Sequence, residues 1–213
     1  MVEAQVTYGV VAHVKRTHLA DRLISRLDAV SHYDDGSIGS NANHDLVWRE
    51  TARAASDWVC ILEDDAVVSD TFESDLVAAL SNAPERSFVG LYVGGERPPQ
   101  WMPRVKRAVS AADRRSASWL SLDWLLWGVA VAAPVELVEP MLSGVRFSAA
   151  PYDFRIGQWI KSTGRLVYYP WPCLVDHADL PTLINHGDGD RRNKPRRAIK
   201  TGPGGQGNTV VRI

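Results

Sequence analysis

Three consecutive carboxylates, Glu63-Asp64-Asp65, close the apolar run Trp58-Val59-Cys60-Ile61-Leu62. Acids side by side repel one another, at a cost in free energy unless a cation or a hydrogen-bond donor compensates. Their hard oxygens suit Mg²⁺ or Mn²⁺, and an ion held there could in turn hold a diphosphate. The run before them is short and continuous. That pattern reads as a strand buried on both faces, as in a mostly parallel sheet. Acids at the carboxyl end of such a strand sit where open α/β sheets bind ligands. The plainer reading is a solvated acidic turn that caps the next helix.

Further segments carry groups able to do chemistry. Pro151-Tyr152-Asp153 opens a helical pattern, so Asp153 is either an acid favoured by the helix dipole or a reactive carboxylate. His177 ends Cys173-Leu174-Val175-Asp176-His177, and His186 lies beyond it. Each is either a surface loop residue or an imidazole able to complete the coordination of an ion at Asp65. His13, Lys15 and Arg16 close the first strand, as a solvated strand end or as contacts to a nucleotide. Asn41-Ala42-Asn43-His44 opens a helix and can act as its cap. Trp101, Trp119, Trp124 and Trp127 fall in one region that could line a pocket.

The elements that must position these groups follow from pattern. Thr7 to Val14 reads as the first strand, and Leu19, Leu23, Ile24 and Leu27 recur at helical spacing after Thr17. Ala29 to Tyr33 is a short strand, Asn43 to Ala55 a helix, and Trp58 to Leu62 a strand. Asp70-Thr71-Phe72-Glu73 has capping-box spacing for a helix to Leu80. Ser87 to Val93 is a further strand. This alternation argues for a parallel sheet with helices on both faces. In the second half, Gly94 to Pro103 is a Gly/Pro loop of lid-like length. Leu125 to Ala132 reads as a strand, with Pro134 placed to start a helix. Tyr152 to Ser162 is a helix stopped by Gly164, and Arg165 to Tyr169 is the last strand.

A chain of 213 residues, 45% hydrophobic and with formal net charge −1, can form one substantial domain. The charge balance gives no global signal for nucleic acid or membrane. No stretch has the length of a membrane span, and no leader pattern opens the chain, so a cytoplasmic location is expected. Cys60 and Cys173 have no partner at metal-site or redox spacing. There is no G-x-G-x-x-G, no phosphate loop ending in G-K-[ST] and no G-x-S-x-G elbow. The expected division is a domain over 1–186 and a flexible basic tail over 187–213, which carries Arg191, Arg192, Lys194, Arg196, Arg197 and Lys200.

Taken in order, these segments resemble a known family. Leu62-Glu63-Asp64-Asp65-Ala66-Val67 is similar to the metal-binding acidic motif of glycosyltransferases with the GT-A fold, closest to the family-25 type that includes lipopolysaccharide-modifying enzymes. Gly39-Ser40-Asn41-Ala42-Asn43-His44 with Trp48, then Trp127-Gly128, then the helix carrying Trp159 and Gly164, then Pro172 to His177 resemble its remaining segments. The N-terminal pattern of the family is replaced here by Ala12-His13-Val14-Lys15-Arg16, and Cys173 stands where serine is common.

The resemblance implies a Rossmann-like GT-A domain and transfer of a sugar, for example from a UDP-sugar, to an acceptor hydroxyl with inversion. It implies Mn²⁺ or Mg²⁺ on Asp65 and His177, with Asp153 as the general base. Donor contacts fall to His13, Arg16, Asn43, His44, Glu63 and Asp64. The sugar and acceptor pocket falls to Trp127, Gly128, Gly95 and His186. The acceptor is a carbohydrate or, as in small phage enzymes of this shape, hydroxymethylated DNA. In the phage case the location is the host cytoplasm. Other classes remain open. A non-catalytic nucleotide-sugar-binding module would not require Asp153. A nucleotidyl or phosphoryl transferase would need acids placed to share two metals.

Overall fold

Val6–His13 forms β1, and residues 8–12 of it are buried. A computed structural model of the chain describes residues 3–181, 183 and 195–213. A 3₁₀ turn over Val14–Arg16 leads into α1 (Thr17–Leu27) and β2 (Val30–Asp34). The chain continues through α2 (Ser40–Thr51), β3 (Trp58–Glu63), β4 (Ala66–Val68), α3 (Phe72–Ser81) and β5 (Phe88–Gly90). Then come α4 (Met102–Arg115), β6 (Trp119–Leu122), β7 (Ala130–Pro134), α5 (Val135–Val145) and α6 (Tyr152–Ser162). The strands β8 (Val167–Pro170), β9 (Val175–His177) and β10 (Val210–Arg212) complete the order.

Among the described residues, eight strands form one sheet in the order β10-β6-β8-β5-β7-β3-β1-β2, and β4 pairs with β9 apart from it. Helices cover both faces. Gly9 approaches α2 so closely that a Cβ there would lie 2.4 Å from Thr51 Oγ1 and 2.8 Å from Val47 Cγ1. Its neighbour Tyr8 points to the other face, as alternation along a strand requires. There it meets Phe72 of α3 at 6.3 Å. Trp48, Trp119, Tyr169, Phe72 and Phe88 are the largest fully buried side chains of the core. The chain is one α/β domain, as its pattern predicts.

The sheet is less parallel than the β-α alternation suggests. β1 pairs in parallel with β2 and β3, β5 with β8, and β6 with β10. β7 is antiparallel to both β3 and β5, and β6 is antiparallel to β8. The reversal of β7 has a functional consequence. Its start, not its end, lies beside the end of β3, so Gly128 and Val129 meet the acids. Glu63 N–H donates to Val129 O at 2.9 Å.

Some local expectations are revised. The Asp70 capping box does not form; α3 begins at Phe72, and Thr71 Oγ1 donates to Asp75 instead. The strand expected from Leu125 starts only at Ala130; residues 127–129 line a cavity instead. Pro134 precedes α5 and does not occupy its first turn.

The tail expectation is also corrected. Residues 187–194 lie outside the described residues, but 195–213 are part of the domain. Ile199 N–H donates to Val93 O and Cys173 N–H to Lys200 O, and β10 adds an edge strand beside β6. Val211 and Ile213 are buried. Three of the bases described there are paired with acids: Arg196 with Asp179, Arg197 with Asp176 at 2.5 Å, and Lys200 with Asp113 at 3.0 Å. Backbone pairing to the sheet orders this segment despite its polar composition.

Candidate active site

Sheet topology brings the sequence-distant segments together. Register places Val11 beside Glu63, and Asp64 N–H donates to Val11 O at 3.2 Å. The end of β1 therefore lies against the acids. The β4-β9 pair does the same for His177. Ala66 is opposite His177, and Ala178 N–H donates to Asp65 O at 2.9 Å. A cavity of about 1040 Å³ opens over this edge. That is large enough for a nucleotide-sized ligand.

His13, Arg16, Asn43, His44, Glu63, Asp64, Asp65, Trp127, Gly128, Asp153 and His177 all line it. One expected residue does not join them. Gly95 is outside the lining; its N–H donates to Arg197 O, so it serves the C-terminal segment. His186 lies outside the described residues.

Glu63, Asp65 and His177 form a cluster whose ligand-capable atoms all lie within 4.8 Å of one another. Asp65 is buried, and its Oδ1 has no hydrogen-bond partner among the described residues. Asp65 Oδ2 meets Arg16 Nη1 at 2.5 Å and His177 Nε2 at 3.5 Å. A buried carboxylate with one orphaned oxygen, beside a second acid and an imidazole, is a donor set that fits Mn²⁺ or Mg²⁺. His177 Nδ1 accepts from Asp179 N–H at 2.8 Å. The neutral ring thus carries its proton on Nε2. Ligation through Nε2 needs that proton on Nδ1 and the Asp179 N–H turned away.

The electrostatics of the acids follow from confinement. Glu63 is pushed up to about 8, first by burial and then by the Asp65, Asp153 and Asp64 charges. Burial also raises Asp64, against the pull of Arg16. His177 is held below the ordinary imidazole value by burial, against the opposing pull of Asp65. Asp64 has a structural task as well. Its Oδ2 accepts from His13 N–H at 3.1 Å and its Oδ1 from Arg16 at 2.9 Å, which ties β1 to β3.

Asp153 sits in the first turn of α6. Burial raises its carboxyl, partly offset by the Phe154 N–H that donates to it at 2.8 Å. Gly128 makes this placement possible. A Cβ there would lie 2.8 Å from the Tyr152 ring and 3.6 Å from Asp153 Cβ, so a larger residue would push α6 outward. Trp127 Nε1 donates to Arg97 O at 2.5 Å and pins the Gly94–Pro103 loop to the cavity.

Asn43 and His44, expected to contact a donor, have structural tasks. Asn43 donates to Ala12 O and contacts His32 Nδ1, both at 2.9 Å. His44 is buried and stacks on Tyr152 at 3.6 Å, and burial lowers it to about 3. Its Nε2 lies 3.7 Å from Glu63 Oε1.

Sequence reasoning missed several residues. Arg155, buried in α6, pairs with Asp45 and donates to Asn41 O at 3.0 Å, which locks the start of α2 to α6. Tyr92 and Arg196 also line the cavity, and Tyr92 Oη donates to Arg196 O. Asp34 lines it too, from the end of β2. Its position at the end of a parallel strand beside β1 was the available signal, obscured by the turn composition that follows it.

Comparison with known proteins adds to this geometry. The model of glycosyltransferase family 25, described as an LPS biosynthesis protein, matches residues 19–109. No curated protein matches the chain. A solved glycosyltransferase involved in the glycosylation of the major capsid of PBCV-1 superimposes with a TM-score of 0.41 at 10% identity, covering 76% of this chain and 80% of that one. The family match holds the acidic triplet and ends before Asp153 and His177. From α1 into α4 the chain resembles glycosyltransferase family 25, and that resemblance supports a glycosyl-transferring enzyme.

Proposed function

We propose that the protein transfers a sugar from a nucleoside-diphosphate donor to an acceptor hydroxyl, with a divalent cation and with inversion at the anomeric carbon. The observation that carries this reading is the Glu63-Asp65-His177 cluster, with its unpartnered Asp65 oxygen, in the same cavity as Asp153. Mn²⁺ or Mg²⁺ held by these three residues would neutralise the leaving diphosphate and act as template.

The chain's own residues would do the rest. Arg16 and Arg196 line the cavity and offer positive charge to the phosphates. Arg16 now serves Asp64 and Asp65, so it would redistribute its hydrogen bonds when a cation takes over the neutralisation of Asp65. Asp153 would accept the acceptor proton as the hydroxyl oxygen attacks. Its raised carboxyl brings it nearer to neutral pH, where a base is most useful. Trp127 and Gly128 shape the wall beside it.

Of the described bases of the C-terminal segment, Arg196, Arg197 and Lys200 are paired with acids of this chain, so they lend the nucleic-acid reading no support. The test is a panel of nucleotide sugars with Mn²⁺, scored for release of the nucleoside diphosphate. Metal-dependent release from one donor supports the reading; none from any donor, with no diphosphate binding, contradicts it.

A further inference from the structure

Asp153 borders two cavities, and only one of them contains the acid cluster. The second, of about 290 Å³, is lined by Pro98, Gln100, Trp101, Trp124, Phe154 and Lys161 beside Asp153. A ligand there reaches Asp153 without touching Glu63, Asp64 or Asp65. Its walls are aromatic. Trp124 and Phe154 meet edge to face at 5.0 Å, and Lys161 Nζ lies 6.0 Å from the centre of the Trp124 ring. The walls are also held from behind. Tyr169 Oη donates to Trp124 O at 3.2 Å and accepts from Leu126 N–H at 3.1 Å. Gly157 leaves room for the indole, since a Cβ there would lie 2.8 Å from it.

We propose that this second cavity is the acceptor subsite and that it takes a carbohydrate bearing an acidic group. The assignment rests on the reading of Asp153 as the base. The sugar ring lies against the indole faces of Trp101 and Trp124, where its C–H surface is desolvated. The acidic substituent faces Lys161. The acceptor hydroxyl then gives its proton to Asp153 as its oxygen bonds to the anomeric carbon. The bond from that carbon to the diphosphate breaks, and the diphosphate leaves with the electron pair. Lys161 is the one cation among the described residues lining this cavity. It can balance one acid, but a DNA backbone presents a row of phosphates and needs several cations.

The experiment uses the full-length protein and two probes, methyl β-glucuronide and methyl β-glucoside, observed by saturation-transfer NMR. Binding of Mn²⁺ with UDP, measured by calorimetry, reports the donor site and folding of each variant. Both glycosides should bind the wild type, the glucuronide more tightly. Trp124→Ala should weaken both by about tenfold. Lys161→Gln, at an exposed position, should remove a preference of up to about fivefold for the glucuronide. Both variants should bind Mn²⁺ and UDP as the wild type does. Glycoside binding unchanged in Trp124→Ala, or displaced by UDP, overturns the subsite. Absent glycoside binding, with Trp124-dependent and salt-sensitive binding of a hydroxymethylcytosine oligonucleotide, overturns the carbohydrate assignment in favour of DNA. Trp124-dependent glycoside binding by a wild type that binds no nucleoside diphosphate with Mn²⁺ keeps the carbohydrate site and contradicts the donor reading instead.

Discussion

Arg16 Nη1 lies 2.5 Å from Asp65 Oδ2, on the carboxylate that His177 faces from 3.5 Å. The same guanidinium also meets Asp64 at 2.9 Å and donates to Pro181 O at 2.6 Å. Arg16 thus neutralises the acids and ties them to the segment after β9. It competes with any cation for Asp65.

Arg16→Ala is therefore expected to destabilise the metal-free protein by about 3 kcal/mol, because it leaves buried carboxylates unpaired. Added Mn²⁺ should then raise the melting temperature more in the variant than in the wild type, while UDP binding weakens. Differential scanning fluorimetry with and without MnCl₂ measures the first effect and calorimetry the second. Equal Mn²⁺ shifts in the two proteins would show that Arg16 and the cation do not share a site.

Asp153→Asn should keep donor affinity and lose transfer by roughly 10²-fold or more, since an amide preserves shape but cannot take a proton. Comparison of kcat with the calorimetric donor Kd checks it. Near-normal turnover would place the base elsewhere.

His44 gives a prediction about stability and pH. Folded, it is lowered to about 3; unfolded, it returns to the ordinary value near 6.5. Above about 6.5 both states are neutral and it contributes nothing to the slope. As pH falls below that value the unfolded chain takes up a proton that the folded protein refuses, so stability drops by up to about 1.4 kcal/mol per pH unit until about pH 3. His44→Phe keeps a ring against Tyr152 and removes the proton site. Urea unfolding between pH 7 and 4 should show a shallower loss of stability in the variant; parallel curves would contradict the assignment.

The C-terminal strand should be part of the cooperative unit. Val211 and Ile213 are buried, and β10 pairs with β6. Each buried aliphatic side chain is worth about 1.5–3 kcal/mol. Removing residues 208–213 should lower the melting temperature markedly, and ending the chain at Gly187 should lower it further. Circular dichroism melts decide this. A truncated chain that melts like the full one would mean that β10 contributes little.

The acidic motif and the strand that carries it were legible because a buried strand and its polar end have a simple pattern. Asp153 and His177 were legible as residue types at element ends. What joins them was not. The antiparallel entry of β7 places Val129 beside Glu63, and the short β4-β9 pair places His177 beside Asp65. Both are long-range pairings that leave no periodic trace in sequence. Residues 195–213 illustrate the same limit. Their composition reads as flexible, yet backbone hydrogen bonds to Val93, Cys173 and β6 hold them in the fold. α4 was hidden for another reason. It follows a Gly/Pro stretch whose turn signals masked the apolar positions Val105, Ala108, Val109 and Ala112.

The central claim is a cation-dependent donor site built on Asp65. Calorimetry of UDP binding in Mn²⁺ and in EDTA, for wild type and Asp65→Ala, tests it most directly. The account predicts binding by the wild type in Mn²⁺ alone and none by Asp65→Ala, with both proteins folded by circular dichroism. UDP binding that persists in EDTA, or that Asp65→Ala retains in Mn²⁺, would contradict it.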